Sequence, residues 1–252
     1  MLANQEQSTK ITIPPGKMEA PTNFDGSHTR VIKRVGNLEL EGIHQNGGGD
    51  CVPATIINTL SILGVDVRNM FVESVKQNIF QTAQKIDNRF DNSVLASNGS
   101  AEMRDMVNVV ADYFDKPTEQ ADILNVNGVG LSERGAQAQA LNLLDLLNDT
   151  SRYPEAIMMM GMVYRPGMAA TDSSRHATAL YFNRQGSPDN CYVLIDPMSP
   201  EVFNQMGIEE VTKYIGTRML GQRARDNFFY LPPGHLKPAF LKQGYYSSTV
   251  LQ

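Results

Sequence analysis

The chain has 252 residues, enough to bury a substantial core as one large domain or two small ones. Apolar residues make up 41% of it and charged residues 19%, which is typical of globular proteins and argues against a disordered or fibrous chain. The net charge of −5 at pH 7 argues against a broad nucleic-acid-binding face, so we expect no nucleic-acid partner.

The chain contains two cysteines, Cys51 and Cys191. Two cysteines without C-x-x-C spacing make neither a disulfide framework nor a structural zinc site, so we expect no metal. The N-terminus lacks the basic and apolar regions of a Sec signal peptide, and the longest apolar run, residues 156–164, is too short to span a bilayer. We therefore expect a cytoplasmic protein, or one secreted by a non-Sec route, with no membrane span.

The first part of the chain, residues 1–29, contains several prolines and many polar side chains. We interpret it as a flexible leader before a single domain, residues 30–252. From residue 31 to residue 43, short apolar stretches alternate with charges, which predicts one or two strands.

A helix is predicted to begin at Cys51, directly after a run of three glycines and an aspartate. Asp50 is a candidate N-cap, and Pro53 is tolerated in a first helical turn. Gly64 is the predicted stop. Apolar residues recur at helical spacing along this segment: Val52, Ile56, Leu60 and Leu63.

Three further helices are predicted before the pattern changes to strands. They cover about residues 66–88, 100–114 and 133–148, the last with a stripe formed by Ala140, Leu141, Leu144 and Leu147.

Strands dominate the predicted second half. They cover residues 156–164, 176–183, 191–195 and 227–231, with one more helix at 208–220. Helices first and strands later predict an α+β fold, in which an N-terminal helical part packs on a C-terminal antiparallel β-sheet.

Cys51 is the candidate nucleophile. A helix N-terminus carries about half a positive charge and several N–H groups without intrahelical acceptors. A thiol held there loses its proton more readily, and the thiolate is the reactive form. The alternative is a small buried core residue, as most lone cysteines are.

Gln45 is the candidate oxyanion donor, because its side-chain amide could act together with the backbone N–H of Cys51. An ordinary polar loop residue is the alternative. His44 beside it could compete as a base, although nothing in the sequence orients its ring.

His176 and Asp196 are the candidate base and the candidate orienting carboxylate. If residues 176–183 and 191–195 form a hairpin, these two residues are its open ends and lie side by side. The carboxylate could then fix the tautomer of the imidazole and support its charged form. The alternatives are a strand-edge histidine and an Asp-Pro turn signal.

These motifs resemble those of the papain-like cysteine peptidases, and within them the C39-like peptidases. Gln45 lies six residues before Cys51, and the stretch Asp50-Cys51-Val52-Pro53-Ala54 matches the family's Asp-Cys-Gly-Pro-Ala motif except for valine in place of glycine. His176 opens a predicted strand and Asp196-Pro197 closes the next, as in that family. The resemblance implies a papain-like fold and a cysteine peptidase with a Cys51–His176–Asp196 triad, Gln45 as oxyanion donor and no cofactor.

The same Cys-His-Asp order also resembles papain-fold bacterial effectors, which leaves the substrate open. A hydrolase would cleave a peptide or isopeptide bond in a protein or peptide substrate. An effector would deamidate glutamine or transfer acyl groups on a host protein. A third possibility is a binding protein that keeps the fold without turnover.

Two smaller expectations concern residues outside this proposed site. Cys191 is expected to be buried and inert. The loop of residues 165–175, which precedes the candidate base, is expected to border the cleft.

Overall fold

The computed structural model describes eight stretches of the chain: residues 28–36, 38–45, 50–76, 122–126, 128, 130–163, 175–220 and 227–236. Most of the predicted leader, the helix expected at residues 100–114 and most of the loop expected at 165–175 lie outside them.

These stretches contain three α-helices and eight strands with defined ends. The helices are α1 (Cys51–Ile62), α2 (Glu133–Asn148) and α3 (Ile208–Met219). The strands are β1 (Arg30–Val35), β2 (Leu38–Ile43), β3 (Asp122–Val126), β4 (Ile157–Val163), β5 (Arg175–Phe182), β6 (Tyr192–Ile195), β7 (Phe203–Met206) and β8 (Asn227–Leu231). No described helix is both long enough and apolar enough to cross a bilayer.

The strands form two antiparallel sheets. β1 and β2 make a two-stranded ribbon, and the other six strands make one sheet in the order β3-β8-β4-β5-β6-β7. Every pairing in both sheets is antiparallel. The predicted α+β class is therefore confirmed.

The large sheet has helices on both faces. Successive side chains along a strand point to opposite sides of the sheet, so one strand contributes to the packing on each face. Ile157 and Met159 of β4 pack into a core with α1 and the β1–β2 ribbon. Met158 and Met160 pack into a second core with α2 and α3. The helices and strands are interleaved along the chain: α2 lies between β3 and β4, and α3, which matches the helix expected at 208–220, lies between β7 and β8.

Helix boundaries follow local signals where those signals are strong. The prediction for 133–148 is confirmed, and the Ser132 hydroxyl caps this helix by accepting from the Gly135 N–H. Leu141, predicted to lie in its buried stripe, is instead exposed.

The helix predicted from residue 66 is wrong at its start, because helical residues begin only at 72 and are described as far as 76. The Asp66 carboxylate accepts from the backbone N–H and the guanidinium of Arg68. This local bonding favours a turn over a helix.

Two strands were not predicted, β3 and β7. Both lie at the edges of the large sheet, and each is only four or five residues long. A short run carries little periodicity, so pairing with a neighbour decides the outcome.

Two buried polar side chains fix α1 against both sheets. The Asn58 side chain accepts from the Ile43 N–H at 2.7 Å and donates to the Ile43 carbonyl at 3.0 Å. The Thr55 hydroxyl donates to the Ala177 carbonyl at 3.0 Å. The middle of α1 is thereby held between the end of β2 and the start of β5.

Candidate active site

The pairing of β5 with β6 brings His176 and Asp196 together. Ala179 lies opposite Ile195, so the same register places Asp196 opposite Thr178 and two residues from the position facing His176. The two residues are therefore diagonal neighbours rather than directly opposed ends, a separation that long side chains span. His176 Nε2 donates to Asp196 Oδ1 at 2.7 Å, and both residues are buried.

Cys51 is a second partner of the same imidazole. Cys51 is the first residue of α1 and is half-buried. Its side chain is hydrogen-bonded to that of His176. The bond from Thr55 to Ala177, the neighbour of His176, holds the helix and the strand in this relation.

The electrostatics of the pair favour a charged imidazole. Burial alone lowers the pKa of His176, but the hydrogen bonds to Asp196 and Cys51 outweigh it and raise this pKa from 6.5 to about 9. Burial raises the pKa of Asp196, but the contact with His176, the Met198 N–H and the charge of Arg218 outweigh it and hold this pKa below 3.8.

The loop after β6 holds the carboxylate through its own backbone. Asp196 Oδ1 also accepts from the Met198 N–H at 2.9 Å, and the Asp196 N–H donates to the Val202 carbonyl at 2.8 Å. Val202 has a φ of 57°, which a β-branched residue rarely adopts. Such backbone strain persists where surrounding contacts enforce it, and here Val202 is fully buried.

Gln45 is tied to the same loop. Its backbone N–H donates to the Pro197 carbonyl at 3.0 Å, directly after Asp196. Residues 46–49, which connect Gln45 to Asp50, lie outside the described residues. The structure therefore places the Gln45 backbone beside Pro197, the residue after Asp196, while the role of Gln45 toward an oxyanion stays a prediction.

Asp50 occupies the N-cap position of α1, but its side chain makes no capping hydrogen bond. Its carboxylate instead accepts from His28 Nε2 at 3.1 Å and from Lys76 Nζ at 2.6 Å. Sequence reasoning missed both partners. Each lies more than twenty residues from Asp50 along the chain, and no local signal links them to it.

His44, His235 and Cys191 make contacts with residues other than Cys51, His176 and Asp196. The His44 backbone N–H donates to the Thr29 carbonyl, and His235 Nδ1 lies 3.2 Å from Glu155 Oε1. Cys191 is half-buried, so the expectation of a buried residue is wrong. Burial still raises the pKa of its thiol, which favours the less reactive protonated form.

Among the described residues, no group of three or more histidine, cysteine, aspartate or glutamate side chains is arranged to hold a metal ion. Comparison of the chain with protein-family models and with curated proteins finds no significant match.

Proposed function

We propose that the protein is a papain-like cysteine hydrolase that cleaves a peptide or isopeptide bond. The observation that carries the proposal is the His176 ring, which is hydrogen-bonded both to a carboxylate and to a thiol. A nucleophile, a base and a group that orients the base are the parts that covalent acyl transfer requires.

In the proposed first step, the proton of Cys51 passes to His176. Because Nε2 is bound to Asp196, Nδ1 is the ring nitrogen left to receive it. The thiolate then attacks the carbonyl carbon of the substrate. The negative charge moves to the carbonyl oxygen, where the Gln45 amide and the Cys51 N–H would stabilise it.

Collapse of the tetrahedral intermediate breaks the bond between the carbonyl carbon and nitrogen. His176 gives its proton to the leaving amine, and the acyl group stays on the Cys51 sulfur. His176 then takes a proton from water, whose oxygen attacks the thioester. The products are a carboxylic acid and the free thiol, with no cofactor required.

The papain-like fold is part of the same proposal. A nucleophile at the start of a buried helix, with its base and orienting carboxylate on neighbouring antiparallel strands, is the arrangement that the resemblance implies. It is supported by α1 packing on one face of the large sheet and by the position of His176 near the start of β5.

The test compares wild type with Cys51→Ala and Cys191→Ala, using a ubiquitin probe with a C-terminal vinyl sulfone and a short peptide vinyl sulfone. We expect covalent labelling of wild type and Cys191→Ala by at least one probe, and none of Cys51→Ala. Labelling of Cys51 at the rate of an unactivated thiol, unchanged in His176→Ala, would overturn the proposal.

A second experiment distinguishes the alternatives that keep the thiol chemistry. A candidate substrate protein treated with wild type is analysed by intact mass. Cleavage gives fragments, whereas glutamine deamidation adds about 1 Da, because an NH₂ group becomes OH. The second result would replace bond cleavage by deamidation while keeping the roles of Cys51 and His176.

A further inference from the structure

A second cluster of charged side chains lies next to the proposed nucleophile. Asp50, the residue before Cys51, is 7% exposed and sits between His28 and Lys76. Lys76 also contacts the exposed Glu73 at 3.1 Å, one turn earlier in the same helical stretch. The proposed mechanism gives none of these side chains a task.

The position of the Asp50 carboxylate is unusual for its place in the chain. An aspartate before a helix normally accepts from the N–H groups of the first turn. Here the side chain makes no such bond, and its two oxygens are taken by Lys76 and His28 instead. Pro53 has no N–H, so the first turn of α1 has few donors to share.

The negative charge of the Asp50 carboxylate affects a thiolate at the N-terminus of α1. A carboxylate directed at the start of α1 would occupy the first-turn N–H groups and repel a thiolate on Cys51. A carboxylate held by a lysine leaves these groups to the sulfur and to the developing oxyanion, and much of its charge is compensated.

We propose that Lys76, with His28, holds the Asp50 carboxylate away from the N-terminus of α1 and thereby keeps Cys51 reactive. Lys76 is then a positioning residue for the nucleophile. The inference rests on the proposed function, in which Cys51 attacks an acyl carbon.

The contacts of the cluster agree with this role. Burial raises the pKa of Asp50, but hydrogen bonds from Lys76 and His28 outweigh it and hold this pKa below 3.8. Burial lowers the pKa of Lys76, but the bonds to Asp50 and Glu73 outweigh it and raise this pKa above 10.5. Both partners are thus charged at neutral pH.

The experiment measures the rate at which iodoacetamide alkylates Cys51, followed by site-resolved mass spectrometry between pH 5 and 9. The variants are Lys76→Met, Asp50→Asn, the double variant and Lys76→Arg. Lys213→Met, which changes an exposed lysine of α3, is the matched control. Circular dichroism verifies that each variant is folded.

We expect Lys76→Met to slow alkylation at pH 6.5 by about tenfold, because the carboxylate is released beside the thiol. Asp50→Asn should react at least as fast as wild type. The double variant should recover most of the loss, and Lys76→Arg and Lys213→Met should match wild type.

A merely structural ion pair gives a different pattern, in which Asp50→Asn and Lys76→Met slow the reaction alike. That pattern, or an unchanged rate in folded Lys76→Met, overturns the inference while leaving the proposed function in place. Failure of the proposed function is distinguished by His176→Ala: if wild-type Cys51 is no faster than this variant, both proposals fall.

Discussion

The protonation of one residue, His176, affects both the stability of the fold and the proposed chemistry. Its folded-state pKa of about 9 lies above the ordinary value of 6.5. The folded protein therefore binds this proton more tightly than the unfolded chain. The stabilisation is fully present below pH 6.5 and is lost as pH rises through about 9.

Replacing His176 by glutamine should remove this pH dependence. We expect wild type to lose up to about 3 kcal/mol of unfolding free energy between pH 6.5 and 9.5 relative to His176→Gln. Urea unfolding at a series of pH values measures the difference. Parallel curves for the two proteins would show that the contacts to Asp196 and Cys51 do not hold the proton.

At the scale of elements, the relation of α1 to its neighbouring strands decides whether the site forms. Asn58 binds both backbone polar groups of Ile43, the last residue of β2 before His44 and Gln45. Thr55 of the same helix binds the strand that carries His176. These side chains are buried and polar, so their hydrogen bonds are specific to one docking geometry.

Replacing Asn58 by leucine keeps the volume and removes both hydrogen bonds. The N–H and carbonyl of Ile43 then lose their partner in the interior, which should cost about 2–5 kcal/mol of unfolding free energy. Thermal and urea unfolding measure the loss. A change below about 0.5 kcal/mol would mean that β2 is not held by α1 through this contact.

At the scale of the whole molecule, the large sheet separates two hydrophobic cores. Leu144 of α2 and Ile57 of α1 are both fully buried, but they belong to different cores. The core that contains Ile57 is built in part from α1, the helix that begins at Cys51, whereas the core that contains Leu144 includes no residue of α1.

Leu144→Ala and Ile57→Ala should therefore have similar costs in stability and different effects on the site. Each should lose about 2–5 kcal/mol, from lost burial and the cavity left behind. Under conditions where both are folded, only Ile57→Ala should slow the alkylation of Cys51 by iodoacetamide. Equal effects of the two variants on this rate would argue against separate cores.

The sequence by itself determined the features that depend on neighbours a few residues apart. The start of α1 at Cys51 follows from the helical spacing of apolar residues, the bounds of α2 from that spacing and the Ser132 cap, and the β5–β6 hairpin from turn residues. These signals are local, and the structure bears out the elements that they predict.

Only the tertiary structure decided which side chains meet across long stretches of chain. The sequence proposed His176 and Asp196 as a pair, but their diagonal register depends on how β5 and β6 align. It could not show that Asp50 turns from its own helix to His28 and Lys76. Hydrogen bonds of this kind are set by the packing of whole elements, and no pattern within one element encodes them.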